Sequence, residues 1–160
     1  MSLRPPRHVP LVTTIRGDLP ELVHYGSIAV VDARGTLVAG VGDAHGLNYT
    51  RSALKPLQAL PFVEDGGAER FGFGSRELAL MCASHSGEPM HLQTVLDLLH
   101  GAGLDESDLR NTPDLPLMDA QRNEWIAAGR GPSSLAQNCS GKHAAMLATS
   151  ALNEWRRDTY

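Results

Sequence analysis

The stretch SIAVVDARGTLVAGV, residues 27–41, decides the fold class of this sequence. Two apolar runs rich in β-branched residues, 27–32 and 36–41, are joined by a short segment that contains Gly35. Such a pattern predicts a β-hairpin with a tight turn. A further β-branched run at residues 9–15 predicts another strand, so the chain is expected to begin with antiparallel sheet.

Beyond Ser52 the pattern changes from strands to helices, because leucines now recur at spacings of three and four residues. Predicted helices cover residues 52–63, 75–83, 120–128 and 140–155, together with one around 92–99 that ends at a Gly101 cap. Residues 66–74 are predicted to form a loop, residues 103–117 an irregular segment, and Ser75 a possible helix N-cap. Strands followed by helices favour an α+β architecture in which helices pack against an antiparallel sheet.

Composition restricts the possible functions. Hydrophobic residues make up 42% of the 160 residues and charged residues 20%, which is typical of a globular chain. The net charge is −4 and no basic run occurs, so nucleic acid is not an expected partner. No apolar stretch approaches the roughly 20 residues that span a bilayer, and the N-terminus lacks the apolar core of a signal peptide. We therefore expect a cytoplasmic protein whose Cys82 and Cys139 are free thiols.

The first candidate catalytic motif is Ser52-Ala53-Leu54-Lys55. Residues three apart share one face of a helix, so the lysine amine is expected to reach the serine hydroxyl. A serine becomes a strong nucleophile when a neighbouring base removes its proton, and lysine is such a base only if burial or a nearby cation lowers its pKa. Arg51 could supply that cation. The alternative interpretation is an N-cap serine beside a solvated lysine.

A second polar cluster, residues 82–88, places Ser84, His85, Ser86 and Glu88 directly after a predicted helix. Loops held by rigid elements commonly carry functional sites, and Gly87 would allow close approach of a ligand. The same residues also suit a helix end followed by the cap of the next helix, so both interpretations stay possible.

A third polar cluster, residues 137–143, lies at the start of the last predicted helix. Cys139 and His143 are four residues apart, a spacing compatible with two metal ligands, and Lys142 lies near Cys139 on the same face. The helix N-terminus and the lysine would both favour the thiolate form of the cysteine. Two ligands do not complete a zinc site, and a buried inert cysteine is the alternative.

These clusters together resemble the asparaginase II family, of the rhizobial zinc-binding type, over about residues 12–155. The matching blocks are Arg16-Gly17 with Glu21 and His24, residues 51–58, residues 82–88 and residues 138–143. Their specificity lies in their order and spacing, since all of them occur in sequence along one chain.

The resemblance implies a fold like that of serine β-lactamases and penicillin-binding proteins, and hydrolysis of L-asparagine to L-aspartate and ammonia. It implies that Ser52 and Lys55 form one serine/lysine pair and that Ser84 belongs to a second pair. Cys139 and Lys142 match ligands of a zinc ion near the active site. We assign Arg51 and Asn138 as candidates for binding the substrate's carboxylate and amide.

The family is about twice as long as this chain, so we expect residues 12–160 to be the N-terminal portion of such a domain, preceded by a flexible lead-in at residues 1–11. The missing part would hold the second lysine and another cysteine, and the full-length protein is expected to be a homodimer. Two rival functions are a β-lactamase or penicillin-binding acyl transferase, which shares the S-x-x-K motif, and a non-catalytic fragment that binds zinc or a ligand.

Overall fold

The structure, a computed structural model, describes residues 6–158 and residue 160. It divides into two compact units, residues 1–50 and residues 51–160. Residues 1–5 of the predicted lead-in lie outside the described residues, and the first strand already begins at Val9. The α+β class predicted from the sequence is confirmed, since strands occupy the first unit and helices the second. No helix among the described residues combines the length and apolar character that crossing a bilayer requires.

The first unit consists of two antiparallel hairpins. Strand β1 (Val9–Arg16) pairs with β2 (Leu19–Gly26), and β3 (Ile28–Val31) pairs with β4 (Leu37–Val41). The hairpin predicted from residues 27–41 is therefore confirmed. Its turn is held by the Asp32 carboxylate, which accepts hydrogen bonds from the backbone N–H groups of Arg34 (2.9 Å) and Thr36 (2.8 Å).

Strand β2 was not predicted, because Pro20 and Glu21 interrupt its apolar pattern. A proline has no N–H to donate to a neighbouring strand, but each strand of a two-stranded sheet has one unpaired edge. Pro20 is therefore tolerated opposite Ile15. An ion pair between Arg16 and Glu21 joins the two strands beside it.

The second unit is helical. Its α-helices are α1 (Lys55–Glu64), α2 (Gly67–Phe71), α3 (Ser75–Met81), α4 (Pro89–Gly101), α5 (Asp119–Ala127) and α6 (Ser140–Leu152). Short 3₁₀ turns cover Arg51–Leu54 and Glu106–Asp108. The predicted helices at 75–83, 120–128 and 140–155 correspond to α3, α5 and α6, and the predicted helix around 92–99 lies within α4.

Three predictions about the ends of helices were wrong in detail. The helix predicted from Ser52 begins as a 3₁₀ turn and becomes α-helical at Lys55, with Pro56 in its first turn. Ser75 is the first residue of α3 rather than its N-cap, because Glu77 accepts a hydrogen bond from Gly74 N at 2.9 Å. Gly101 is the last residue of α4, and Gly103, at φ 73°, adopts the left-handed conformation that ends it.

The loop predicted at residues 66–74 contains helix α2. Gly66 and Gly72 have φ values of 75° and 70°, and these left-handed residues flank a helix of only five residues. Between them Phe71 packs on Phe62 with ring centroids 6.0 Å apart. Glycines therefore mark the ends of this helix correctly, but they do not make the whole segment a loop.

Helices α1, α3, α4 and α6 enclose the core of the second unit. Its fully buried side chains come from each of these helices: Phe62, Met81, Val95, Leu98, Leu99 and Leu147. Burying an apolar side chain of this size contributes about 1.5–3 kcal/mol, so the core fixes how these four helices cross.

A close contact between α3 and α6 depends on Gly141. A Cβ atom at this position would lie 2.6 Å from the carbonyl oxygen of Leu80, closer than van der Waals contact permits. Leu80 lies near the C-terminus of α3, and Gly141 lies in the first turn of α6. The missing side chain therefore lets the end of one helix approach the beginning of the other.

We expect Gly141→Ala to lower the free energy of unfolding by about 1–3 kcal/mol, because the added methyl group must push α6 away from the backbone of Leu80. Urea unfolding followed by circular dichroism measures this change. Gly131→Ala is the matched control, since a Cβ at Gly131 would meet no atom within 4 Å. Equal stability of the two variants would contradict the close packing of α3 on α6.

Candidate active site

The centre of the candidate site is the ammonium group of Lys55. This side chain is only 2% exposed and lies at the start of α1. Its Nζ donates hydrogen bonds to Ser84 Oγ at 2.7 Å, to the carbonyl oxygen of Ala83 at 2.8 Å and to Cys139 Sγ at 3.2 Å. A protonated lysine has three N–H donors, so these three acceptors satisfy all of them. Lys55 therefore joins the start of α1 to the end of α3 and the start of α6.

The spacing of Ser52 and Lys55 predicts that these two residues form a pair, and in the structure the lysine also donates a hydrogen bond to Ser84 Oγ. Ser52 belongs to the 3₁₀ turn that directly precedes α1, and Lys55 is the first residue of α1. Ser84 itself is exposed, although the lysine that touches it is buried. The arrangement thus combines an accessible hydroxyl with a basic group that is shielded from water.

Ser52 nevertheless lines the same cavity as Lys55. The cavity has a volume of about 240 Å³, and it is lined by Arg51, Ser52, Lys55, Gln58 and Lys142. The sequence contains only two lysines, and both contribute to this cavity. With three cationic side chains and no acidic one in its lining, the cavity favours a ligand that carries negative charge.

The backbone at Arg51 has an unusual conformation. Its φ of 46° lies in the left-handed region, which residues with side chains seldom occupy. Such strain is most often found where a functional side chain must be directed to a site. Arg51 lies directly before Ser52 and lines the cavity, which agrees with its assignment as a substrate-binding candidate.

Cys139 precedes the first residue of α6 and is half-buried. Burial raises the pKa of its thiol, but the hydrogen bond and positive charge of Lys55, together with the charge of Lys142, outweigh that effect and lower the pKa below its ordinary value. The helix N-terminus favours the anion in the same direction. Both effects favour the thiolate form of Cys139 relative to a free cysteine.

His85 connects the loop that carries Ser84 to the helix that follows Cys139. Its backbone N–H donates to the carbonyl oxygen of Asn138 at 2.9 Å. The Ser140 hydroxyl donates to the carbonyl oxygen of Leu135 at 2.8 Å, so Ser140 Oγ accepts the N–H of His85 Nε2 at 2.7 Å. The imidazole is therefore in the Nε2–H tautomer.

The His85 ring is also held neutral. It is 3% exposed, and its Nδ1 is buried without a hydrogen-bond partner. Burial, the neighbouring His91 and the charge of Lys55 together lower the pKa of His85 to about 4. The His91 ring stacks on it with centroids 5.6 Å apart.

The described residues do not by themselves form a complete zinc site. A thiolate at Cys139 and a deprotonated amine at Lys142 would suit zinc, which takes four ligands in structural sites. Within residues 6–158 and residue 160, however, no group of three His, Cys, Asp or Glu side chains is arranged to hold a metal ion. Cys139 is moreover engaged by Lys55.

The structure thus brings together Lys55, Ser84 and Cys139, and it places Arg51, Ser52 and Lys142 around the adjoining cavity. Asn138 is half-buried, and its side-chain oxygen accepts a hydrogen bond from Gln137 at 3.2 Å. Sequence reasoning did not assign roles to His85 or Gly141. His85 stood inside the motif that contains Ser84, so that motif was the available signal, but its bond to Ser140 spans 55 positions of sequence.

A family model described as L-asparaginase II matches residues 12–160. No curated protein matches the chain. The matched region contains every residue of the Lys55 cluster and of the cavity beside it.

We expect iodoacetamide to alkylate Cys139 at lower pH than Cys82, because Lys55 stabilises the Cys139 thiolate. Mass spectrometry of peptides from chelator-treated protein, labelled across a pH series, measures both cysteines in one sample. Lys55→Met should shift the Cys139 profile to higher pH and leave the Cys82 profile unchanged. An unshifted Cys139 profile in this variant would contradict the contact between lysine and thiol.

We also expect His85 to make folding sensitive to acid. Its pKa is about 4 in the folded chain against 6.5 for a free imidazole, so the unfolded chain binds the extra proton first as pH falls. The contribution of His85 is fully present above pH 6.5 and is lost towards pH 4, and it amounts to about 3 kcal/mol. Urea unfolding at several pH values should show a flatter profile for His85→Leu, whereas the exposed-site control His100→Leu should keep the original slope.

Proposed function

The chain belongs to the L-asparaginase II family, and from this premise we propose that it contributes the Lys55–Ser84 pair to an amidohydrolase that converts L-asparagine to L-aspartate and ammonia. The observation that carries the proposal is the 2.7 Å hydrogen bond between Lys55 Nζ and Ser84 Oγ. It supports serine/lysine catalysis because a serine hydroxyl needs an adjacent base to become an effective nucleophile.

Before Lys55 can act as a base, its ammonium must lose a proton. Cys139 Sγ, 3.2 Å from Nζ, is an acceptor for that proton when it is in the thiolate form. Transfer of one proton from Nζ to Sγ gives a neutral amine and a neutral thiol. Neither group then carries a charge, which suits the buried position of the lysine.

The amine then takes the proton of the Ser84 hydroxyl while Ser84 Oγ attacks the side-chain amide carbon of L-asparagine. The C–N bond breaks, and the leaving nitrogen receives the proton from Lys55 and departs as ammonia. The remaining acyl ester on Ser84 is hydrolysed by water, which gives its proton to Lys55 as it attacks. L-aspartate leaves and the serine hydroxyl is restored.

The cationic cavity next to Ser84 supports recognition of a carboxylate. Arg51 and Lys142 would hold the α-carboxylate of the substrate, and the Arg51 guanidinium can do so with two parallel hydrogen bonds. Ser52 offers a further hydroxyl in the same lining. Asn138 keeps its assignment as a candidate for binding the substrate amide, supported by its position directly before Cys139.

Further features follow from the family resemblance and are proposals of the same kind. They are a fold like that of serine β-lactamases, a zinc ion that takes Cys139 and Lys142 as two of its ligands, a homodimer and a cytoplasmic location. The low pKa of the Cys139 thiol supports the first ligand. Zinc bound there would lower the pKa of a ligating water or amine and polarise a nearby carbonyl.

We expect Ser84→Ala and Lys55→Met each to reduce the rate of ammonia release from L-asparagine by roughly 10³-fold or more. The two losses should be similar because a nucleophile and its base act as one catalytic unit. Purified variants are compared in a coupled ammonia assay. Ser75→Ala is the control, because Ser75 is an exposed serine at the opposite end of α3. Electrospray mass spectrometry of quenched reactions should locate the acyl group on the peptide that contains Ser84.

Ser52→Ala tests the other possible nucleophile in the same assay. This variant should retain more activity than Ser84→Ala, because Lys55 donates its hydrogen bond to Ser84 Oγ. Loss of all activity in Ser52→Ala, with an acyl group still formed in Ser84→Ala, would refute the proposed pair. Turnover of nitrocefin without turnover of asparagine would instead favour a β-lactam acyl transferase.

A further inference from the structure

His85 lies beside the catalytic cluster but touches none of the proposed reacting atoms. Its side chain is buried in the loop between α3 and α4, directly after Ser84. Two hydrogen bonds of 2.9 Å and 2.7 Å tie it to Asn138 and Ser140, which are the two neighbours of Cys139 in sequence. His85 therefore fixes the loop that carries Ser84 to the residues directly before and after Cys139.

From this geometry we infer that His85 is a positioning residue, which holds Ser84 and Cys139 against Lys55 by donating its Nε2–H to Ser140. The inference rests on the proposed function of the Lys55–Ser84 pair. It adds a role for a side chain that contacts none of the proposed reacting atoms.

The direction of the hydrogen bonds makes the His85–Ser140 contact specific. The Leu135 carbonyl oxygen can only accept a hydrogen bond, so the single O–H of Ser140 is donated to Leu135. The remaining lone pair of Ser140 Oγ then requires a donor, and the His85 ring supplies it from Nε2. Ser140 is fully buried, so no water replaces this donor if it is removed.

The opposite edge of the ring has a different environment. His85 Nδ1 is buried and has no hydrogen-bond partner, and the ring stacks on His91. Nε2 is therefore the ring atom whose hydrogen bond fixes His85 to Ser140, the first residue of α6. A side chain that reaches as far as Nε2 should restore the contact, whereas one that reaches only as far as Nδ1 should not.

Two amide substitutions test this difference. The side-chain nitrogen of His85→Gln can approach the position of Nε2, and that of His85→Asn can approach only that of Nδ1. Both introduce the same neutral amide into the same buried site. We expect His85→Asn to lower kcat for L-asparagine about 10- to 100-fold with little change in KM, because the catalytic groups would be misplaced. We expect the kcat of His85→Gln to stay within about fivefold of that of the native chain.

Ser140→Ala removes the acceptor of the His85 hydrogen bond and provides a second test. It should lower kcat about as much as His85→Asn does. When Ser140→Ala is combined with His85→Gln or with His85→Asn, the two double variants should have equal kcat values. This arm also covers the case in which His85→Asn does not fold. A persistent advantage of Gln over Asn without Ser140 would overturn the inference.

A measurement independent of asparagine separates this inference from the proposed function. Iodoacetamide labelling at pH 7 compares Cys139 with Cys82 in each variant by peptide mass spectrometry. We expect labelling of Cys139 to slow in His85→Asn but not in His85→Gln, because loss of position weakens the contact with Lys55, while Cys82 labelling stays constant.

The outcomes are distinct. If the native chain releases no ammonia, but Cys139 labelling still differs as expected between His85→Asn and His85→Gln, the proposed function is refuted and the positioning role is supported. An active native chain with equal Asn and Gln variants would refute the positioning role alone. A parallel change in Cys82 labelling would show that His85 only maintains the fold, and it would also overturn the inference.

Discussion

The burial of one ammonium group constrains the rest of the helical unit. Removing a charged side chain from water costs several kcal/mol unless acceptors and a counter-charge replace the solvent. Lys55 finds two acceptors at the end of α3, on Ala83 and Ser84, and a third at the start of α6, the Sγ atom of Cys139. The start of α1, the end of α3 and the start of α6 must therefore lie close together around the Lys55 ammonium group.

Two features of the backbone make this meeting possible. Gly141 lets α6 approach Leu80 more closely than any other residue would allow, and the His85–Ser140 bond fixes the loop after α3 to the first turn of α6. The result is an exposed hydroxyl on Ser84 that accepts a hydrogen bond from the buried Lys55. In the mechanism that we propose, the exposed hydroxyl can meet a substrate while the base that activates it is shielded from bulk water.

The cationic side chains of the site differ in their partners. Lys55 donates a hydrogen bond to Cys139 Sγ and lowers the pKa of that thiol, whereas Arg51 and Lys142 line the cavity without an acidic partner in that lining. Burial keeps the nearby histidines neutral. It lowers the pKa of His143 to about 4, and the charges of Lys142 and Lys55 act in the same direction. The positive charge that remains in the cavity would favour the carboxylate of a substrate.

The sequence by itself determined the α+β class, the hairpin at residues 27–41 and the helical character of the second unit, because hydrophobic periodicity and turn residues act over a few positions. It also singled out Ser84, Lys55 and Cys139 as chemically relevant, since their motifs are short. It did not determine which serine Lys55 contacts: spacing favoured Ser52, three residues away, whereas the lysine donates a hydrogen bond to Ser84. The contacts of Lys55 with Ser84 and Cys139 span 29 and 84 positions, and only the packing of α3 and α6 on α1 could decide them, because a side-chain hydrogen bond depends on distance in space.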